Sequence, residues 1–217
     1  MTAPSEPAPS APADTTPAAT ATSTAPAVEG DFAPMPAYPA GPYGHGLGAV
    51  IDNLEFMGWR DPVASNYDVT ALEHIRLGDF YDPNGTQTEL IVLNASAVWC
   101  TVCQAEMRDM HKSGTYDAFR QRKAQVFGTL FQDGAGDPAK PSDLSLWGSS
   151  QARAIGFPLV LDPALKMGPY FTSDATPLNL VIDARTMKII DVMMGYDSTP
   201  GTGLWGVVDE ELTTRGL

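Results

Sequence analysis

Short apolar runs alternate with stretches of helical character along most of the chain. The apolar run at 90–93 is followed by turn-permissive residues, a pattern typical of a buried strand. Residues 101–112 contain neither Gly nor Pro and predict a helix directly after that strand. Further strands are predicted at 49–56, 74–77, 124–131, 157–162, 176–183 and 187–194, and further helical segments at 116–123, 144–155, 163–170 and 203–214.

The order of these elements predicts the fold class. Strands alternate with helices in the middle of the chain, and the last two strands, 176–183 and 187–194, are separated only by a turn. The short connection predicts an antiparallel hairpin, whereas the alternating part predicts parallel pairing. We therefore expect an α/β domain with a mixed central sheet flanked by helices.

Residues 1–44 differ in composition from the rest of the chain. They are mostly Ala, Pro, Thr and Ser, with four acidic residues and no Lys or Arg. Such a segment buries too little apolar area to offset its chain entropy, so we predict a disordered linker over 1–44 and a folded domain over 45–217. Linkers of this kind tether exported domains to a membrane or wall, and a bare solubilising tail is the alternative.

Charge and hydropathy narrow the possible partners. The formal net charge of the 217 residues is −13, which argues against nucleic acid or an anionic membrane surface as a partner. No apolar run approaches the roughly 18 residues of a membrane span. The first residues lack the basic and apolar regions of a signal peptide, so we expect a mature or trimmed chain with a start Met.

The two cysteines of the chain, Cys100 and Cys103, lie where the buried strand gives way to the helix. The first backbone N–H groups of a helix are unpaired and its dipole is positive there, so a thiolate at Cys100 is stabilised and its pKa is lowered. Cys103, one turn further, points back toward Cys100 and is better shielded. One exposed, nucleophilic sulfur and one resolving sulfur are therefore predicted.

Two other interpretations of the cysteine pair remain open. A zinc site needs a second pair of cysteines or nearby histidines, and the three histidines (His45, His74 and His111) are scattered. A purely structural disulfide closes so short a loop that it restricts the unfolded chain little. We therefore expect no metal and favour a redox role for the pair.

Four landmarks occur in a fixed order along residues 46–217. They are the Trp99-Cys-Thr-Val-Cys103 motif with Asn94 in the preceding strand, Glu106 three residues after the motif, the Phe-Pro-x-x-x-Asp strand at 157–162, and Thr176-Pro177 before the next apolar run. In these landmarks the sequence resembles exported thioredoxin-fold thiol–disulfide oxidoreductases of the TlpA/ResA and redoxin type. The resemblance implies a thioredoxin fold for this region.

The chain departs from that family pattern at three places. Arg108 stands where the family has a proline, so the helix is expected to lack its usual kink. Thr101 and Val102 lie between the cysteines instead of Gly-Pro or Glu-Pro, and 178–180 replaces the usual Thr-x-Phe. These departures affect the expected substrate and redox potential, whereas the expected fold is unchanged. The absence of His between the cysteines favours a reductant or an intermediate redox potential.

The resemblance implies roles for Trp99, Cys100, Cys103, Glu106, Thr176 and Pro177. Cys100 is the expected attacking thiolate and Cys103 the resolving thiol, and their redox-active disulfide requires no cofactor. Trp99 is expected to cover the sulfurs and contact the client, with a core position as the alternative. A cis Pro177 would place the backbone of Thr176 beside Cys100 as a site for main-chain hydrogen bonds with a client, and an ordinary trans proline is the alternative.

Glu106 is the candidate proton carrier of the site. A partly buried carboxylate near Cys103 would have a raised pKa and could take and return the proton of a cysteine. The alternative is a glutamate that faces solvent on the helix. Under the first interpretation, thiol reactivity depends on pH and changes in Glu106→Gln.

Four functions follow from these features. The leading hypothesis is a thiol–disulfide oxidoreductase that acts on protein thiols or disulfides outside the cytoplasm, as a monomer, with an unidentified redox partner and a possible membrane tether. The alternatives are a redoxin-type thiol peroxidase, a copper-binding relative of the same fold, and a redox-inert binding domain. Val98-Trp99 before Cys100 fits a peroxidase poorly, and cysteines two residues apart without a placed His fit copper binding poorly.

Overall fold

The computed structural model describes residues 36–199 and 201–217. These residues form seven strands and four α-helices. The strands are β1 (Glu55–Trp59), β2 (Glu73–Arg76), β3 (Leu90–Ala97), β4 (Ala124–Gln132), β5 (Leu159–Leu161), β6 (Leu178–Asp183) and β7 (Lys188–Met194), and the helices are α1 (Thr101–Ser113), α2 (Thr115–Gln121), α3 (Pro141–Ser149) and α4 (Gly203–Thr214).

The strands form one mixed sheet in the order β2-β1-β5-β4-β3-β6-β7. The pairs β3–β4 and β4–β5 are parallel, and the remaining pairs, including the predicted β6–β7 hairpin, are antiparallel. Every residue of β3 is buried, as its apolar sequence predicts for a central strand. The expected α/β class with a mixed sheet is confirmed.

The strand predicted at 49–56 is wrong in its extent. β1 begins only at Glu55, and the preceding residues instead lie along the outer edge of β7. The backbone N–H of Ile189 donates to the carbonyl of Ala49 at 2.9 Å, and that of Ile51 donates to the carbonyl of Met187 at the same distance. This pairing covers part of the edge of the sheet, where unpaired backbone groups would otherwise face solvent.

Two predicted helical segments are also displaced. Instead of 144–155, α3 spans Pro141–Ser149, because Pro141 occupies the first helical position, where its missing N–H costs nothing. Of 163–170 only the last three residues form a 3-10 helix. The turn before it is organised by buried Asp162, whose carboxylate accepts the backbone N–H groups of Lys166 and Met167.

The folded region extends to Tyr38, ahead of the predicted start at residue 45. The Tyr38 hydroxyl donates to the carbonyl of Ile51 at 2.8 Å, and its ring packs edge-on against Tyr81 with centroids 5.9 Å apart. Residues 1–35 of the predicted linker lie outside the described residues. Across the described ranges, no helix is both long enough and apolar enough to cross a membrane.

The sheet brings two distant parts of the chain to one place. β3 ends at Ala97 and leads through a short turn into α1, whereas its antiparallel neighbour β6 begins at Leu178. The C-terminal end of β3 and the N-terminal end of β6 therefore lie at the same end of the sheet. The cysteines and the segment Thr176-Pro177 meet at that end.

Candidate active site

Cys100 and Cys103 form a disulfide at the N-terminus of α1. Cys100 is the N-cap residue, and its Sγ accepts the backbone N–H of Cys103 at 3.0 Å. In this oxidised state Cys100 exposes only 4% of its surface and Cys103 none, so Cys100 is less exposed than the sequence predicted. The N–H groups and dipole of the helix stabilise negative charge on the Cys100 sulfur.

Thr176 and Pro177 lie next to the disulfide. The peptide bond between them is cis, so the alternative of a trans proline is wrong. The Thr176 hydroxyl donates to the Sγ of Cys100 at 3.2 Å, which adds a second donor to the N–H of Cys103. Both donors can stabilise a thiolate when the disulfide is reduced.

Trp99 is half exposed, which contradicts a core position. Its side chain has 45% of its surface accessible, and its Nε1–H donates to Oε1 of Gln132 at 3.0 Å. Val102, between the cysteines, is also exposed. Two apolar side chains adjacent in sequence to the cysteines therefore face solvent, where burial against a client would be favourable.

Glu106 is fully buried beneath this surface. Its Oε2 accepts the side-chain amide N–H of Asn94, and its Oε1 accepts that of Asn179, both at 2.9 Å. Burial raises the pKa of the Glu106 carboxyl to about 8, although both amide hydrogen bonds act to lower it. Cys103 and Glu106 are three residues apart on α1, which makes them neighbours on the helix surface.

Sequence reasoning missed Asn179 and Ser96, which complete the network. Asn94 and Asn179 are cross-strand partners in β3 and β6, and a second N–H of Asn94 donates to Oδ1 of Asn179 at 2.8 Å. The Ser96 hydroxyl donates to Oδ1 of Asn94. The available signal was one asparagine in each of two apolar runs, since a buried amide needs polar partners.

The remaining candidates lie apart from the disulfide. α1 continues through Arg108 to Ser113. His74 contacts Glu55 at 2.7 Å and His45 lies 3.8 Å from Asp52. No group of three or more His, Cys, Asp or Glu side chains within 36–199 and 201–217 is arranged to hold a metal ion.

Comparisons with solved structures decide the fold family. A protein from Chlorobium tepidum provisionally named thiol:disulfide interchange protein DsbE matches with a TM-score of 0.56 and 14% identity, over 79% of this chain and 98% of that one. The exposed lipoprotein thioredoxin of Streptococcus pneumoniae matches with a TM-score of 0.50 and 18% identity, over 75% and 98%. The chain has the thioredoxin fold.

The same fold extends to a peroxidase family. A reduced 2-Cys peroxiredoxin from Plasmodium vivax matches with a TM-score of 0.54 and 11% identity, over 78% of this chain and 83% of that one. No protein-family model matches the chain, and no curated protein matches it by sequence. At these identities the similarity establishes the thioredoxin fold, and the function has to be argued from the site.

Proposed function

We propose that this thioredoxin-fold protein is a thiol–disulfide oxidoreductase that exchanges electrons with protein thiols and disulfides through Cys100 and Cys103. The observation that carries the proposal is the disulfide at the N-cap of α1, whose Cys100 sulfur accepts hydrogen bonds from the Cys103 N–H and the Thr176 hydroxyl. A purely structural disulfide would not need donors that stabilise a thiolate. Similarity to a protein named for thiol:disulfide interchange supports the same function.

The reaction with a disulfide client proceeds in two exchanges. The Cys100 thiolate attacks one client sulfur, a mixed disulfide forms, and the second client sulfur leaves as a thiolate. Cys103 then loses its proton and attacks the Cys100 sulfur, which releases the first client sulfur as a thiolate. Two electrons pass from the protein dithiol to the client, and an external dithiol restores Cys100 and Cys103.

Glu106 takes up the proton of Cys103 in the second exchange. A general base works best when its pKa lies near the ambient pH, and the raised pKa of about 8 places Glu106 in that range. Its position one turn after Cys103 puts it on the same face of α1. When a client thiol is oxidised, the steps reverse and Glu106 returns the proton to Cys103.

The surface around the disulfide suits an extended peptide. Thr176 lies directly against the Cys100 sulfur, and its backbone can pair with the main chain of a client. Trp99 and Val102 provide apolar contact surface next to the sulfurs. Protein thiols and disulfides are therefore the proposed substrates.

We place the protein outside the cytoplasm, where disulfides persist. Similarity to an exposed lipoprotein of the same fold supports this location. The Ala/Pro/Thr-rich residues 1–44 would serve as a tether between the domain and a membrane or wall. The redox partner is then an external dithiol that donates electrons to the cysteine pair or an external disulfide that accepts them.

Insulin disulfide reduction with dithiothreitol as electron donor tests the function. We expect the wild type to accelerate insulin precipitation and Cys100→Ser to abolish the acceleration. Mixed with insulin in the absence of dithiothreitol, reduced Cys103→Ser should instead accumulate a mixed disulfide with the client, visible on a non-reducing gel. Equal rates for the wild type and Cys100→Ser would contradict the proposal.

A thiol peroxidase is the second candidate, and the structural match to a 2-Cys peroxiredoxin is the observation that favours it. In that reaction Cys100 would be oxidised by a peroxide to a sulfenic acid, and Cys103 would condense with it to a disulfide and water. Stopped-flow tryptophan fluorescence of the reduced protein with hydrogen peroxide separates the two functions. Fast peroxide consumption without insulin reduction would replace the first proposal by the second.

A further inference from the structure

Glu106 lines a cavity on the β7–α4 side of α1. The cavity has a volume of about 280 Å³, which is room for several water molecules. Its lining includes neither cysteine nor Thr176, so it is separate from the surface that carries the disulfide. The other lining residues are Met193, Met194, Gly195, Tyr196, Asp197, Gly203 and Leu204, and Asp197 is exposed at the surface.

The hydrogen-bond network leaves the Glu106 proton no internal acceptor apart from sulfur. Each carboxylate oxygen accepts an amide N–H, from Asn94 or Asn179. Amide nitrogens do not take up a proton, and the amide oxygen of Asn94 already accepts the Ser96 hydroxyl. A proton taken from Cys103 returns to sulfur only when the pair is reduced again, so its exchange with solvent needs another way out of Glu106.

Tyr196 lines the cavity and carries a group that can pass a proton on. The Tyr196 hydroxyl donates to Oδ2 of Asp109 at 2.9 Å. Burial, together with the negative charges of Asp109 and Glu106, raises the pKa of Tyr196 above its usual range, so its hydroxyl stays neutral and can both accept and donate. The charged or titratable groups around Glu106 are thus Cys103 and Asp109 on α1 and Tyr196 and Asp197 after β7, because β3 and β6 contribute only amides and Ser96.

We propose that this cavity, with Tyr196 in its wall, is the route by which Glu106 exchanges its proton with solvent during turnover. The inference rests on the proposed thiol–disulfide exchange and adds the direction of proton flow. Protons move between Cys103 and Glu106 on one side of the carboxyl and between Glu106 and cavity water on the other. Electrons enter and leave through Cys100, which does not line the cavity.

Chemical rescue of Glu106→Ala tests the route. Removal of the carboxyl should slow insulin reduction at pH 7 by about tenfold or more, as for the loss of a general acid–base group. Formate or imidazole, which are small enough to enter the cavity, should restore at least half of the lost rate in a saturable manner. Failure of both carriers to restore any activity in a folded Glu106→Ala protein would overturn the route.

A matched pair at Met193, which lines the cavity, shows where the carriers enter. Met193→Phe fills the cavity, whereas Met193→Leu keeps a similar volume. In the Glu106→Ala background, rescue should disappear with Phe and persist with Leu. Equal rescue in both double variants would show that carriers reach the site elsewhere and would overturn the proposal.

Two further measurements keep the test decisive. If Glu106→Ala does not fold, Met193→Phe and Met193→Leu are compared with Glu106 intact. Met193→Phe should slow turnover and enlarge the solvent deuterium isotope effect on its rate. Equal values for the two variants would contradict the route. An active wild type with a slow, unrescued Glu106→Ala variant would refute the route alone. Absence of insulin reduction in the wild type would instead refute the oxidoreductase function.

Discussion

At Glu106, burial and two amide hydrogen bonds act in opposite directions on one carboxyl group. Burial favours the neutral form, and the N–H donors of Asn94 and Asn179 favour the anion. Burial dominates, and the pKa of about 8 leaves the group mostly protonated at pH 7. The ionised minority can therefore accept the Cys103 proton at neutral pH, and this fraction grows as the pH approaches 8.

This equilibrium predicts how Glu106→Gln changes stability with pH. Glu106 binds its proton more tightly in the folded than in the unfolded protein, so its stabilising contribution is complete below its unfolded pKa and is lost as pH rises through about 8. The free energy of unfolding of the wild type should fall by up to about 1.4 kcal/mol per pH unit in this interval relative to the variant. Urea denaturation of the oxidised proteins at pH 5, 7 and 9 measures the difference.

The same substitution predicts a change in thiol reactivity. Above pH 8 the Glu106 anion opposes formation of a neighbouring thiolate, and Gln removes that charge. The alkylation profile of the reduced wild type should therefore be broad, and that of Glu106→Gln should be steeper and shifted to lower pH. Superimposable iodoacetamide profiles would exclude a proton-carrying role for Glu106.

The Thr176 hydroxyl gives a prediction at Cys100. Thr176→Val keeps the shape of the side chain but removes the donor to the sulfur. A hydrogen bond to a charged group contributes about 1.5 kcal/mol, so the pKa of the Cys100 thiol should rise by up to about one unit. Thr176→Ser retains the hydroxyl and should keep the wild-type value in the same alkylation assay. A Val variant with an unchanged pKa would show that the contact does not stabilise the thiolate.

Sequence reasoning located the residues of the site better than their surroundings. The cysteine pair and its place at a helix start follow from local pattern alone. Whether Glu106 faces solvent or the interior could not be decided locally, because that depends on the register that sets Asn94 opposite Asn179 across two strands far apart in sequence. The partner of Trp99, Gln132, is placed by the pairing of β3 with β4 and had no local signal.

Gly58 lies in a part of β1 that the sequence pattern does not predict. It pairs with Val160 of β5 and lies beyond the end of the strand predicted at 49–56. A Cβ atom at this position would approach the carbonyl oxygen of Leu159 at 2.3 Å, so only glycine lets the two strands come together. A glycine required for close approach is indistinguishable in sequence from one in a turn.

Gly58→Ala should therefore loosen β1 from β5. We expect a loss of about 3 kcal/mol in the free energy of unfolding, the scale of an overpacked core site. Gly46→Ala is the control, because a Cβ atom there meets nothing within 4 Å, and it should change stability by less than about 0.5 kcal/mol. Urea denaturation measures both variants, and equal stabilities would contradict the packing argument.

The folded domain as a whole includes residues that composition assigned to the linker. Tyr38 is surrounded in sequence by Pro and Ala, so composition does not single it out. Its contacts with Ile51 and Tyr81 nevertheless lie within the domain. Composition averages over a window and therefore cannot recognise one aromatic anchor. The fold class, by contrast, follows from the order of many elements and tolerates errors at single boundaries.

Two truncated proteins test this boundary. The protein 45–217 lacks Tyr38, whereas 36–217 keeps it. Loss of one partly buried aromatic side chain and its hydrogen bond should lower the free energy of unfolding of 45–217 by about 2 kcal/mol relative to 36–217. Thermal and urea denaturation of the pair provide the measurement. Identical midpoints would place the start of the folded unit at residue 45.

The neutral amides around Glu106 tie the electrochemistry of the molecule to acidity. A cation in their place would hold the carboxylate ionised whatever the redox state, whereas amides let its protonation respond when reduction creates a thiolate at Cys100. Above about pH 8, two-electron reduction then draws in an additional fraction of a proton. The midpoint potential should fall more steeply with pH there than in Glu106→Gln, by at most roughly 30 mV per unit for one extra proton. Alkaline surroundings would thus make this protein a stronger electron donor.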